Sequence, residues 1–455
     1  MRDFTALVNE QRAYFLTQAT KPYAFRARML NALAGWIDAH EGDILAALTE
    51  DLGKSAYEGY LTEVAMVKQE IKDAKRNLKR WMRPQRARTA IGQLPGRCRI
   101  YREPYGVTLI MSPWNYPFQL TVAPLIGAIC AGDCAVLKPS AYSAATSKLI
   151  KGMAEALFEP RYIAAVEGGR AENAGLLEQR FDFIFFTGSP AVGRLVMQKA
   201  AAHLTPVSLE LGGKSPVIVD ETADIALTAR RLAWGKFLNA GQTCVAPDYV
   251  LVHHSREQRL LEALIAEVRA MYTSAPLRNP DLPRIINQRH FERLVGLMQS
   301  GVISHGGQID IRERRIAPTL LTDVTWDEPI MQEEIFGPLL PILTYRSLDE
   351  AIARIQERPK PLALYLFTQS AQARKRVLEE VSFGGGCVND TVLHLATPYM
   401  PFGGVGESGM GGYHGHHSFE AFSHQKSVLT RFARPDVALR YAPYGGKLKW
   451  LKRLM

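Results

Sequence analysis

Near the N-terminus the apolar positions recur at helical spacing. Phe25, Met29, Leu33 and Trp36 share one face, as do Ile44, Leu45 and Leu48. Asp51-Leu52-Gly53 reads as a helix stop, and a charged helix is predicted over residues 62–81, broken by Pro84. The period then changes. Residues 86–91 and 97–102 alternate in character around a turn near 92–96, which predicts a long hairpin with little core of its own. From residue 104 onward, apolar runs at 107–111, 135–137, 163–166 and 181–186 read as strands. Helix-like runs begin near Gln119 and after Pro139. A second series follows near Ser215, with strands at 217–219, 249–252, 340–343 and 362–367. Its helices are predicted at 223–237, 256–271, 287–299 and 371–381. Strands alternating with helices specify parallel sheets with crossover helices, which bind ligands at the carboxyl ends of their strands. The predicted fold class is α/β: two parallel-sheet domains with a cleft between them, plus a small β hairpin or arm.

Composition narrows this picture without redirecting it. A chain of 455 residues is too long for one compact core, and 47% hydrophobic with 22% charged residues is ordinary for a folded protein. No charged and apolar leader opens the sequence. The weakly polar stretch 120–137 is interrupted by Pro124, Gly127, Gly132 and Asp133, which argues against a membrane span. Five widely spaced cysteines suit a reducing cytoplasm better than a disulfide framework, and Cys130 and Cys134 are expected in the core. The net charge of +10 comes with basic clusters at 75–88 and 447–453, but with no nucleic-acid motif. A solvated basic face is the first reading, attraction of an anionic ligand the second. The last residues, 447–455, form a short basic amphipathic tail. It is expected to be a surface helix or disordered, with at most weak peripheral membrane contact. His414, His416 and His417 fit a polar loop better than a metal site, and no metal is expected.

Several stretches carry candidate chemistry. Cys244 sits in Phe237-Leu-Asn-Ala-Gly-Gln-Thr-Cys244-Val-Ala-Pro247, just after an apolar helical run. A thiol is a strong nucleophile toward a carbonyl, yet free cysteine is also among the most buried residues. Glu210, in Leu209-Glu-Leu-Gly-Gly-Lys214, is a carboxylate in an apolar setting, and poor hydration raises its pKa toward that of a useful base. Asn115, in Pro113-Trp-Asn-Tyr-Pro117, offers an amide to a developing oxyanion, or a cap to the following helix. Gly188, Ser189 and Gly193 lie where a strand opens into a helix, a place for phosphate or a plain turn. Lys138 ends a strand. The glycine-rich run 401–412 is either a close backbone approach to a ligand or an irregular loop.

Taken together, in this order and spacing, these motifs resemble the aldehyde dehydrogenase superfamily. The resemblance runs to about Ser427 and rests on PWNYP at 113–117, LKPS at 137–140, FTGSPAVG at 186–193, LELGGK at 209–214, GQTCVAPDYVL at 241–251, EEIFGP at 333–338 and PFGGVGESGMGGYHG at 401–415. The cysteine motif, the glycine-rich motif and SFEAFSHQKSV at 418–428 are most similar to class 3, the fatty and aromatic aldehyde branch. The resemblance implies two Rossmann-like domains. Residues 1–83 with 104–208 would bind cofactor, and 209–416 would be catalytic. Residues 84–103 with 417–435 would form the oligomerisation arm of a homodimer, leaving 436–455 as the tail.

It further implies NAD- or NADP-dependent oxidation of an aldehyde to the acid. Cys244 would form the thiohemiacetal and thioester, Asn115 would share the oxyanion with the Cys244 N–H, and Glu210 would activate the hydrolytic water. Lys138 would contact the cofactor ribose, Gly188, Ser189 and Gly193 would lie near the pyrophosphate, and Glu334 and Phe336 would hold the nicotinamide end. Tyr116, Trp234, Thr243 and Phe402 would line an aldehyde tunnel, favouring aromatic or medium-to-long aliphatic substrates. One departure concerns the cofactor. Related chains carry glutamate after KPS, whereas this one has Ala141, so NADP is expected to be used alongside or above NAD. The competing readings are a CoA-acylating dehydrogenase, which Glu210 argues against, a cysteine hydrolase with a histidine base, and an inactive binding or structural protein on the same fold.

Overall fold

The computed structural model describes residues 3–434, 436 and 438–454. Helices Thr5–Leu16, Tyr23–Ala39 and Glu41–Leu52 open the chain. The last ends on Gly53 in the left-handed region, as its sequence requires. The charged helix begins earlier than its pattern predicts. Ser55 caps it by accepting from the Glu58 N–H, and Ala56–Gly59 runs through a π-helical turn, Tyr60–Val64, into Ala65–Trp81. That turn buries Thr62, Glu63 and Val64 together, so its widened geometry disturbs the simple helical period.

The first sheet has the strand order Gly409–Met410, Val207–Leu211, Phe183–Gly188, Val107–Met111, Cys134–Lys138, Ile163–Ala165. Every neighbouring pair is parallel except the first. The expected boundary at residue 209 therefore falls inside a strand: Leu209, Glu210 and Leu211 pair with Phe186, Thr187 and Gly188 in this sheet. The weakly polar stretch resolves into helix Gln119–Ala131, buried at every position with Pro124 inside it, a turn at Gly132 (φ +95°) and strand Cys134–Lys138. Cys130 and Cys134 are buried and unpaired by disulfide. No helix among the described residues is long and apolar enough to cross a membrane.

The second sheet runs Val302–His305, Thr319–Thr322, Leu339–Tyr345, Tyr249–His253, Pro216–Val219, Ala363–Phe367, Gly385–Val388. Only its first pair is antiparallel. Three of these strands give no clear strand pattern in the sequence: Thr319–Thr322 and Val302–His305 are only four residues long, the latter at the exposed edge, and Gly385–Val388 is half glycine. Apolar residues of both sheets join one continuous core.

The arm departs from the predicted hairpin. Only Gln85–Ala87 pairs back onto Gly96–Pro104, because residues Ile91–Gln93 turn into a 3-10 helix. The main partner of Gly96–Pro104 is Ser423–Arg431, matched along the full nine-residue strand. At the C-terminus, Leu448–Leu454 is a short helix.

Candidate active site

The parallel strands of the first sheet deliver their carboxyl ends to one place. Val107–Met111 leads into the loop carrying Asn115, Phe183–Gly188 ends at Gly188, and Val207–Leu211 carries Glu210. Helix Ile225–Phe237, capped by the Asp224 side chain, leads into the loop that presents Cys244. Two cavities meet at this cysteine. A cleft of about 960 Å³ is lined by Asn115, Gly188, Ser189, Glu210, Glu334 and Phe336 along with Cys244. A tunnel of about 840 Å³, its open mouth included, reaches Cys244 from elsewhere between Tyr116, Trp234, Thr243, Phe402, Tyr413 and His414. All four residues expected to meet substrate lie in this tunnel.

The loop before the cysteine is strained and heavily tied. Asn239, Ala240 and Gly241 all have positive φ (+52°, +50° and +73°). A Cβ on Gly241 would collide with the Gly337 carbonyl oxygen, so only glycine fits there. Glu58 Oε1 accepts from the Asn239 N–H at 2.8 Å. The Asn239 side chain donates to the carbonyls of Asn115 and Gln242, and Gln242 reaches Asn239 O and Arg284 O. Asn115 Nδ2 donates to Gln242 O at 3.0 Å, which fixes the amide and leaves its second N–H unused in that bond. Behind this loop is a buried ion pair. Lys54 Nζ lies 2.5 Å from Glu63 Oε1 and donates to Asn115 O at 3.0 Å. Glu63 Oε2 accepts from the N–H groups of Phe118 and Gln119. Nucleophile loop and amide loop are thus held by one network, which offsets the backbone strain.

Charge is handled differently in the cleft. Glu210 is buried, and neither carboxylate oxygen has a hydrogen-bond partner among the described residues. Desolvation raises its pKa well above the ordinary carboxylate value. Glu334 is pushed up to about 8 by burial and by Asp248, partly offset by the Gly213 N–H and Lys214. Cys244 is part-exposed to the cavities, yet burial and the Glu334 and Glu210 carboxylates push its thiol up to about 12. The resting nucleophile is therefore a neutral thiol.

The cleft suits a dinucleotide. Gly188 and Ser189 open helix Pro190–Ala201, and a Cβ on Gly212 would collide with the Glu334 carboxylate, so the backbone there is left bare for close approach. Three expected cofactor residues do not line this cleft. Gly193 lies inside the helix and packs on Leu211, a structural contact. Lys138 is buried, with Nζ on the Pro139 and Gly168 carbonyls, and its pKa falls to about 8 through burial while Glu172 and Glu167 oppose the fall. Ala141 is exposed beyond it. The histidine trio is divided: His414 bonds Glu70, whereas His416 and His417 face Glu420. Lys54 and Glu63 carry no sequence signal of their own, and although Asn239 and Gln242 lie in the cysteine stretch, their bonds to Asn115, Glu58 and Arg284 join segments far apart along the chain.

Residues 2–428 match the aldehyde dehydrogenase family. The chain belongs to that family. It is 49% identical over 445 residues to the 4,4'-diaponeurosporen-aldehyde dehydrogenase of Staphylococcus aureus, covering 97% of both chains. It is 47% identical to aldehyde dehydrogenase family 3 member H1 of Arabidopsis thaliana, over 99% of this chain and 94% of that one. A solved structure described as the substrate-bound state of Staphylococcus aureus AldH superposes with a TM-score of 0.98 at 48% identity, covering 100% of this chain and 99% of that one. These relatives place the enzyme in class 3, as an NAD- or NADP-dependent oxidoreductase acting on the aldehyde group of a small molecule.

Proposed function

We propose that this aldehyde dehydrogenase oxidises apolar aldehydes, aromatic or medium-to-long aliphatic, through a thioester on Cys244. The observation that carries the reading is the position of Cys244 at the junction of a tunnel walled mainly by apolar side chains and a cleft holding the unpaired Glu210 carboxylate. The Cys244 sulfur attacks the carbonyl carbon, and its proton leaves as the C–S bond forms. A thiol at about 12 needs a base for this, and Glu210 faces it across the cavity wall. Asn115 Nδ2 and the Cys244 N–H hold the resulting oxyanion. The dinucleotide, when bound between Gly188, Ser189, Gly212, Glu334 and Phe336, supplies the acceptor for the hydride that the oxyanion expels. Once Glu210 has passed the thiol's proton to solvent, it takes a proton from water, whose oxygen adds to the thioester carbon; the sulfur then leaves, regains that proton through Glu210 as the Cys244 thiol, and the acid is released.

The supporting organisation follows the two sheets: a cofactor-binding domain from residues 1–83 and 104–208, a catalytic domain from 209–416, and the arm. The Glu210 strand, as sheet pairing shows, straddles the first boundary. Strands Ser423–Arg431 and Gly385–Val388 each have an outer edge without a strand partner among the described residues, which supports a homodimer built through the arm. A single-chain mass in sedimentation would remove that part. A cytoplasmic location follows from the free thiols, and the basic tail is at most a weak membrane contact. The test of the chemistry is aldehyde-dependent NAD(P)H formation. Cys244→Ala is expected to abolish it, and equal rates in variant and wild type would overturn the assignment.

A further inference from the structure

The tunnel contains one polar group whose chemistry the reaction does not use. His414 is 2% exposed, with φ +83°, and its ring lines the tunnel that reaches Cys244. Its Nδ1 lies 2.7 Å from Glu70 Oε1, and the second Glu70 oxygen accepts from the Gly415 N–H at 2.8 Å. The backbone N–H of His414 donates to Ser418 Oγ at 2.9 Å. Tyr413 stacks on the ring at 4.1 Å between centroids, and Phe402 leans against it. The imidazole is thus fixed in position and orientation, with Nδ1–H directed at the carboxylate, because a carboxylate only accepts. Nε2 has no hydrogen-bond partner among the described residues.

Most other polar side chains of the tunnel are engaged. Thr62 donates to the Glu58 carbonyl, Tyr116 and Thr243 share a hydrogen bond of 2.6 Å, and Gln119 bonds Tyr413. A purely hydrocarbon chain seated here would cover Nε2 and leave it unsatisfied, which is costly in a dry apolar site. A chain with a hydroxyl at the right position would satisfy it, because a hydroxyl both donates and accepts. Sites built to bond a hydroxyl reject the analogue lacking one far better than apolar pockets distinguish by size.

We propose that the Glu70–His414 pair is a specificity site for a hydroxyl on the aldehyde's chain, so that a hydroxylated apolar aldehyde is preferred to the plain one of equal length. This rests on the reading of the tunnel as the aldehyde site. The test compares kcat/KM for straight-chain aldehydes with the same chains bearing one hydroxyl, the hydroxyl being moved stepwise from the third carbon to the terminus. In wild type one position is expected to give at least a tenfold advantage over the plain aldehyde. In His414→Phe, which keeps an aromatic wall, that ratio should fall to about one or below, and His414→Gln, which keeps an acceptor, should restore part of it. Inhibition of wild type by matched alcohols and diols, where the diol of the favoured length should bind about tenfold tighter, reads the same contact without any variant. Plain aldehydes turned over with no hydroxyl preference at any position, or a preference unchanged in His414→Phe, would overturn the proposal and leave the aldehyde reading standing. No turnover of any aldehyde would remove that reading first.

Discussion

The two cavities that share Cys244 are built on opposite plans. The tunnel is walled by bulky side chains, among them Leu61, Met66, Trp234, Leu238 and Phe402, and most of its polar groups are bonded within the protein. The cleft is lined by Gly188 and Gly212 and by two raised carboxyls, Glu210 and Glu334, and Glu210 has no hydrogen-bond partner among the described residues. Burial of an unpaired carboxyl costs stability. The protein accepts that cost on one side of the nucleophile only, where water and a charged cofactor must work. On the other side the carboxylates are partnered, Glu63 by Lys54 and Glu70 by His414, so that His414 Nε2 is the exception in an otherwise apolar passage.

The sharpest way to break this comparison is to silence the cleft. Glu210→Gln keeps shape but removes the base. Steady-state turnover is expected to fall about 10²–10⁴-fold, the usual range for general base catalysis. If Glu210 serves only hydrolysis, a burst of one reduced cofactor per Cys244 should precede the stall. If it also takes the thiol proton, as the thiol's high pKa suggests, the burst itself should slow. The pH dependence has a definite sign. Glu210 is raised, so its basic form grows as pH rises, and acid release in wild type should accelerate with pH toward the alkaline side. That rise should vanish in Glu210→Gln. A variant with wild-type turnover and an unchanged pH profile would mean that the unpaired carboxylate is not the base.

How much of this contrast was legible in the sequence follows the reach of each signal. Cys244, Asn115 and Glu210 lie in short motifs of distinctive composition, and the structure brings all three to one cleft. The strands predicted from continuous apolar runs are present with ends shifted by a residue or two, as at Phe183–Gly188 and Leu339–Tyr345. Strand Gly385–Val388 was invisible because it has only one β-branched residue. Ser423–Arg431 was legible only through resemblance, because most of its positions face solvent and no alternation marks it. At Gly193 a glycine near a helix start reads alike whether it makes room for a phosphate or for a neighbouring side chain, and the packing on Leu211 is a contact no local pattern announces. The polar network was beyond reach altogether. Lys54 and Glu63 are nine residues apart on an irregular helix, and what they hold, the 115–119 loop, is far away in sequence.

That network gives the second test, on the tunnel side. Lys54 Nζ lies 4.0 Å from the Tyr116 ring centroid as well as on Glu63, so one cation seals both the tunnel wall and the amide loop. Lys54→Met leaves Glu63 buried without its cation, which is expected to cost about 3–5 kcal/mol. The loss should show as a lowered denaturant midpoint with little change in slope. Adding Glu63→Leu should recover part of that stability, because two apolar groups replace the pair. Activity should not recover in parallel, since the Phe118 and Gln119 N–H groups would lose Glu63 and the Asn115 carbonyl would keep only Asn239. A Lys54→Met protein as stable as wild type would mean that the tunnel side is not electrostatically sealed in the sense argued above.

The smallest expected effect lies at the far end of the cofactor side. We expect NADP to be used alongside or above NAD, because Ala141 places no carboxylate beside Lys138. The structure complicates the local charge. Lys138 already spends its ammonium on two carbonyls, and Glu167, in the loop after strand Ile163–Ala165, and Glu172, on helix Arg170–Leu177, act on it. Lys138 is therefore a poor phosphate clamp, and tolerance of NADP rests on the missing carboxylate rather than on added attraction. Ala141→Glu should then lower kcat/KM with NADP about tenfold, equivalent to about 1.4 kcal/mol of lost binding, and leave the NAD value nearly unchanged or improved. Because residue 141 is exposed, the effect should shrink as salt is raised. A thousandfold preference for NAD in wild type would remove the premise, and an equal loss with both cofactors in Ala141→Glu would show that residue 141 does not discriminate at the 2′ position.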